Sequence, residues 1–428
     1  LILKKPTPMK RKILYILISA CLFPAAVSAQ LTLEHCQEKA RANYPLIKKA
    51  ALIEQTASYN LENAAKAHLP QISFSAKATY QTAVTEIPIS LPNLSIEGLS
   101  KDQYQAVAEV SQVIWDGGAV KAQQEITKAN AEAEKQKLES DLYALRERVN
   151  QLFFGILLID EQLKQNDLLQ NELQTNFDKI TAYMNNGVAN QADVDAIKVE
   201  QLNALQHRTE LNAARKAYCD VLSAFTGEDI TEQTSLLEPA LSAPADLNLN
   251  NRPENSMFES QLSLFDSQTK LINSRNMPKI GAFVQGGYGK PGLNMLKNEF
   301  APFAIGGIRF NWNFGGFYTS KNDLQLIEVN KLNVAVQKET FLFNTGLQAT
   351  QQFAEIEKYQ NLISNDNEII QLRNNIKKSA EAKVANGTLS VSDLIREINA
   401  ENMAQQNKAL HEIQYLISIY NLKNTTNR

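Results

Sequence analysis

The sequence predicts a mainly helical chain that also carries four long amphipathic strands of membrane-spanning type, arranged as two internal repeats. Three observations carry this reading. Landmarks recur in the same order in both halves, several segments alternate apolar and polar residues with a period of two, and two stretches of about seventy residues lack proline. A period of two belongs to strands and a period near 3.5 to coiled helices, so the pattern assigns each segment its type.

At the N-terminus, Met9 is followed by Lys10-Arg11-Lys12 and an apolar stretch from Ile13 to Val27, the charged and hydrophobic regions of a secretory signal peptide. Val27-Ser28-Ala29 fits the small-residue cleavage pattern. The expectation is a leader over residues 1–29, a mature chain from Gln30, and residues 1–8 upstream of the true start. Ile18-Ser19-Ala20-Cys21 also resembles a lipobox, and the minor alternative is a lipidated Cys21. Five of the 43 basic residues lie in the leader, so against 46 acids the mature chain carries a net −8 with histidine neutral. That balance argues against nucleic acid as a partner. Cys36 and Cys219 remain, far apart in helical patterns, and read as free buried thiols.

After the leader no apolar run approaches the roughly 18 residues of a membrane helix. If this exported chain spans a bilayer, it does so as a closed β-barrel, the other structure that satisfies every backbone hydrogen bond in lipid.

The first repeat is expected over 30–225, a linker over 226–250 with Gly227, Pro239 and Pro244, and the second repeat over 251–428. Asn43-Tyr44-Pro45 is echoed by Asn251-Arg252-Pro253, each opening a helical pattern. Leu69-Pro70-Gln71-Ile72 is echoed by Met277-Pro278-Lys279-Ile280, and the two prolines of each half stand 25 residues apart in both. Ile114-Trp115-Asp116-Gly117-Gly118 corresponds to Trp312-Asn313-Phe314-Gly315-Gly316, and these glycines mark the strand-helix junctions. From the first junction to the Gly187 turn is 70 residues, and from the second to the Gly387 turn is 72.

Strands are expected at about 71–84, 102–115, 279–289 and 303–314. In the first, Ile72, Phe74, Ala76, Ala78 and Tyr80 oppose Gln71, Ser73, Ser75, Lys77, Thr79 and Gln81. In the last, Ile308, Phe310, Trp312 and Phe314 oppose Arg309, Asn311 and Asn313. Strands in soluble proteins run to about five or six residues, whereas tilted transmembrane strands need about nine to eleven. The smallest membrane barrels have about eight strands, so four can close only together with other copies. Two copies give about eight strands and a filled interior, three give about twelve and room for a lumen.

Long helices are expected over about 117–186 and 316–386, each returning through a helix at about 190–225 and 390–422. Seventy residues of helix reach about 100 Å. Leu138, Leu142, Leu145, Val149, Leu152, Ile156, Ile159 and Leu163 alternate steps of four and three. Such a seam supercoils and must pack on other helices.

In order, duplication and spacing these motifs resemble the TolC-like outer-membrane efflux proteins over essentially the whole mature chain. The resemblance implies a homotrimer with a twelve-stranded outer-membrane β-barrel, continued by a twelve-helix periplasmic α-barrel. It implies that the hairpin tips at Gly187 and Val188 and at Gly387, Thr388 and Leu389 dock a periplasmic adaptor, with an inner-membrane pump as the energy source. Family members carry an acid six residues after the tip glycine, matched here by Asp193 and Asp393. In the second hairpin a further acid is usual three residues on, and this chain departs from that pattern with Arg396. Arg396 then pairs with Asp393, pairs with a neighbouring subunit, or is a solvated charge of little energetic weight. A mixed Asp393/Arg396 ring would make the closed entrance less cation-selective than two rings of acids.

No enzyme chemistry is legible. His35, His68, His207 and His411 show no metal-ligand spacing, there is no phosphate loop, and Gly286, Gly287 and Gly289 lie in a strand pattern. No catalytic residue, metal or cofactor is expected. The expected function is an outer-membrane exit channel of an efflux or type I secretion system. The alternative is a periplasmic coiled-coil adaptor or scaffold, whose usual single hairpin and small soluble β domains this sequence does not match.

Overall fold

The computed structural model describes residues 31–85, 98–241 and 249–427. The expected leader and Cys21 lie outside the described residues. The element order is α1 (Leu33–Asn43), a short 3-10 turn (Pro45–Lys48), α2 (Lys49–Lys66), β1 (Gln71–Tyr80), β2 (Asp102–Trp115), α3 (Ala119–Tyr143) and α4 (Leu145–Asn185). It continues with α5 (Gln191–Thr226), α6 (Pro253–Arg275), β3 (Lys279–Lys290), β4 (Ala301–Asn311), α7 (Gly316–Ala385) and α8 (Val391–Thr426). Two compact units divide these elements: Lys48–Tyr143 with Asn250–Thr345, and the remainder, which holds α1, α4, α5, α8 and α7 from Gly346 onward.

In the first unit the strands form one open antiparallel sheet in the order β1-β2-β3-β4. Pairing register follows the side-chain alternation. One face carries the rows Ile72-Val110-Val284-Gly306 and Phe74-Ala108-Gly286-Ala304, and the other carries Ser73-Glu109-Gln285-Ile305. On the apolar face Ile72 is 80% and Phe74 76% exposed, far above what a soluble sheet leaves uncovered. β1 ends at Tyr80, short of the expected 84. β2 holds a bulge between Val113 and Trp115. β4 ends at Asn311, so Trp312 and Phe314 lie past it, with the Trp312 indole N–H donating to the Asn276 carbonyl at 3.0 Å.

The expected unbroken helix over 117–186 is two helices. The ladder lapses at Ala144, a one-residue turn whose φ of −60° and ψ of −19° remain right-handed helical. Of the predicted seam, Leu138, Leu142, Leu145, Val149, Ile156 and Ile159 are buried. Leu152 and Leu163 are half-buried, and Phe153 and Phe154 are fully buried beside the seam, which widens it beyond a coiled-coil stripe.

The second unit has two apolar cores. One gathers Leu33 and Cys36 of α1, Phe153 and Ile156 of α4, Leu222 of α5 and Leu416 of α8. The inter-repeat linker is pinned to it. Leu31 N–H donates to the Ser235 carbonyl at 3.1 Å, and the Arg215 guanidinium holds Asp160 at 2.5 Å while donating to the carbonyls of Glu232 (2.5 Å) and Thr234 (3.1 Å). Cys36 and Cys219 are free and buried, and burial pushes the Cys36 thiol up to about 12, so it is chemically inert.

Candidate functional site

The other core of the second unit lies behind two helical hairpin turns. Leu173 and Ile180 of α4, Val194 and Ile197 of α5, Ala380 and Val384 of α7, and Leu394 and Ile398 of α8 share it. The four helices ending at the tips are therefore cemented to one another over the last few turns.

Each turn has the same construction. Gly187 at φ +77° and Gly387 at φ +67° adopt the left-handed conformation that ends a helix, and a Cβ on either would meet nothing within 4 Å. Backbone conformation, and not space, asks for glycine here. Val188 N–H donates to the Tyr183 carbonyl at 2.8 Å, and Thr388 N–H to the Lys383 carbonyl at 2.9 Å. Val188 and Thr388 are exposed, whereas Leu389 leans onto the shared core.

The structure gives Asp193 a structural task. Asn190 caps α5 by accepting from the Asp193 amide at 3.1 Å, and Asp193 Oδ2 accepts from the Asn190 amide at 3.0 Å, a reciprocal capping box. Asp393 occupies the corresponding place in α8, where the Ser390 hydroxyl accepts from its amide at 3.1 Å and donates to its Oδ2 at 2.6 Å. Arg396 lies 2.9 Å from Asp393 Oδ1. The Ser390 hydrogen bond foremost, then Arg396, holds the Asp393 carboxyl below its ordinary range. The carboxylate thus stays ionised, with its charge shared between a cap and a cation.

One group escaped the sequence reading. The Lys377 ammonium of α7 lies 2.6 Å from Glu172 of α4 and bonds Glu401 of α8. Burial alone would lower the Lys377 pKa, yet the hydrogen bonds it donates to Glu172 and Glu401 raise it above the ordinary lysine value. Glu401 is 4% exposed and follows Val391, Leu394 and Ile398 at steps of three and four. An acid on an apolar seam was the available signal. Arg373 reaches Glu397 at 3.4 Å, and Asn399 reaches Glu200 at 3.3 Å, further polar ties among these helices.

At the strand-helix junctions Gly117 and Gly118 take φ +74° and +84°, and a Cβ on Gly117 would stand 2.5 Å from Met277 Cβ. Gly315 and Gly316 do not take positive φ, so the echoed pairs differ in conformation. Both junctions use a side-chain cap: Asp116 Oδ1 accepts from Gly118 N–H and Asn313 Oδ1 from Gly315 N–H, each at 2.9 Å. Among the described residues no cluster of His, Cys, Asp or Glu is arranged to hold a metal, and no helix is long and apolar enough to cross a membrane.

The fold is similar to those of solved outer-membrane channels. The chain is similar to CusC (14% identity, 93% of this chain and 92% of that one, TM-score 0.69) and to a membrane protein of Pseudomonas aeruginosa (15%, 92% and 90%, TM-score 0.67). It is likewise similar to VceC of Vibrio cholerae (13%, 92% and 96%, TM-score 0.63). Residues 37–228 match the family described as Outer membrane efflux protein. That match and the shared fold support the reading of an outer-membrane efflux channel. No curated protein sequence matches it.

Proposed function

We propose that this chain is one subunit of a homotrimeric outer-membrane exit channel serving a tripartite efflux or type I secretion system, with its helical hairpins in the periplasm and its cargo chosen by an inner-membrane pump. The observation that carries the reading is the sheet. Its strands of 10, 14, 12 and 11 residues meet the length of tilted membrane strands, its apolar face is bare, and β1 and β4 are its two edges. Long exposed edges with an apolar face invite pairing, and a barrel closed with other copies removes them. Lipid is the partner of the apolar face, and twelve strands from three copies leave room for a lumen on the polar one.

A second stripe on α7 supports assembly. Leu326, Val329, Val336 and Phe343 share one face at heptad-like steps and are exposed, the last by 65%, while Ile327 and Val334 are buried on another face. One seam is covered within the chain and the other is left for a neighbouring copy.

The hairpin tips at Gly187 and Val188 and at Gly387, Thr388 and Leu389 are the docking points for the periplasmic adaptor, and Asp393 with Arg396 lines the entrance. Asp193 belongs to that region as a helix cap. Opening requires the α7/α8 hairpin to part from α4, and the Lys377-Glu172 bond spans that seam. In planar bilayers Lys377→Gln channels should conduct more than wild type at the same voltage; conductance equal to wild type would remove Lys377 from the gate. Fractionation tests the reading as a whole, since recovery in the soluble periplasm would favour the adaptor or scaffold alternative.

A further inference from the structure

The polar side of the sheet carries charge of mostly one sign. Register places Lys77, Glu109, Lys279 and Arg309 on the face opposite Ile72, Phe74 and Val284, whereas Asp102 and Lys290 alternate to the apolar face at the loop ends of their strands. Glu109 is thus the one acid of the polar face among the described strand residues. It is also the best covered of the four. The Gln285 amide bonds it, Arg309 approaches to 3.5 Å, and Glu109 is 20% exposed against 55% for Arg309, whose guanidinium lies 4.7 Å over the Phe283 ring. The anion is tucked beneath its neighbours while the cation faces water.

Lys77 and Lys279 are exposed and stand near opposite ends of the same face. Lys77 shares its row with Gln105, Gly289 and Ala301, small or neutral neighbours that leave its ammonium uncrowded. Nearby, Phe303 lies over Gly287 and Phe283 packs beside Gly307, so the aromatic rings lie close to the sheet instead of projecting from it. Three cations against one anion leave a net +2 per subunit on this face.

We infer that the barrel segment of the channel is an anion-attracting section, and that Lys77, Lys279 and Arg309 are specificity-determining residues that favour anionic over cationic solutes. The inference rests on the barrel reading above: once copies close the sheet, these charges face one confined body of water between low-dielectric walls, which focus the field.

The test measures local potential at the face itself, independent of the narrow periplasmic entrance. Ser75→Cys, two residues from Lys77 on the same face, is introduced into the full-length protein in detergent or proteoliposomes. Its modification rates by an anionic and a cationic methanethiosulfonate are each normalised to those of free cysteine, and the protein without Ser75→Cys gives the background of the buried Cys36 and Cys219. Each kT/e of positive potential multiplies the anion-to-cation rate ratio by about seven, and fields inside clefts reach a few kT/e. The ratio should exceed one about sevenfold at low salt, fall toward one at 1 M salt, and fall in Lys77→Gln and further in Lys77→Gln/Lys279→Gln. Lys290→Gln, on the apolar face, should leave it unchanged. A ratio at or below one, or one unmoved by the lysine substitutions and by salt, overturns the inference. Failure of the barrel reading gives a different result: Ala76→Cys on the apolar face would then react as freely as Ser75→Cys, instead of being shielded by lipid. If the double variant does not assemble, Lys77→Gln and the salt dependence of the lysine-bearing protein still decide the matter.

Discussion

Replacing Lys377 by methionine should destabilise the helical unit more than any surface change near it. The ammonium is 13% exposed, and it serves Glu401 at 4% and Glu172 at 26%. Methionine keeps most of the stem's packing and removes the charge, leaving Glu401 buried with only the Gln405 amide at 3.1 Å. Breaking a buried pair by removing one partner costs about 3–5 kcal/mol, and the partial access of Glu172 to water puts this case near 3 kcal/mol. The assay is unfolding in a fixed concentration of guanidinium, followed by far-UV circular dichroism. If the network is intact in the folded state and lost at the transition state, 3 kcal/mol speeds unfolding about 150-fold. Adding Glu401→Gln removes the stranded charge and should recover most of that loss. The sign with pH follows from the raised pKa: the stabilisation is complete below the ordinary lysine range and fades only as pH climbs through the raised value. Unfolding of Lys377→Met within twofold of wild type, or a double variant as unstable as the single, would refute the reasoning.

Other outcomes follow from the same geometry. Gly117→Ala forces a side chain into a left-handed residue and against Met277, and should lower thermal stability by more than the about 1–2 kcal/mol of the conformational term that Gly118→Ala shows alone. Val336→Asp and Phe343→Asp, on the exposed stripe of α7, should leave the helical circular dichroism spectrum intact but shift the purified protein from oligomer to monomer in light scattering. Ser390→Ala should raise the Asp393 pKa more than Arg396→Ala does, because the serine bond is the larger cause; stability from this group is present above the ordinary carboxylate range and lost as pH falls toward the lowered value, so Ser390→Ala should melt lower at neutral pH and lose less on acidification than wild type. Bilayer recordings of Asp393→Ala and Arg396→Ala channels should show opposite changes in ion selectivity, and unchanged selectivity in both would exclude a role at the entrance.

The strands were legible because alternation is a property of single side chains, and Gln71 to Tyr80 shows it without a fault. The turn glycines were legible because Gly187 and Gly387 punctuate otherwise unbroken helical patterns. Three things were not. The Ala144 lapse leaves φ and ψ helical, so neither glycine nor proline marks it. Asp193 was read through position in a family pattern, whereas Asn190-x-x-Asp193 is itself a capping-box spelling that assigns a local task. Lys377 lay hidden because its partners come from two other helices, and only Glu401's place on an apolar seam hinted at it.

The decisive measurement is the native mass of the purified mature protein in detergent micelles. Three copies per particle, with precipitation when detergent is withdrawn, is the outcome the proposed channel predicts. A monodisperse single copy that stays in solution in plain buffer would contradict it.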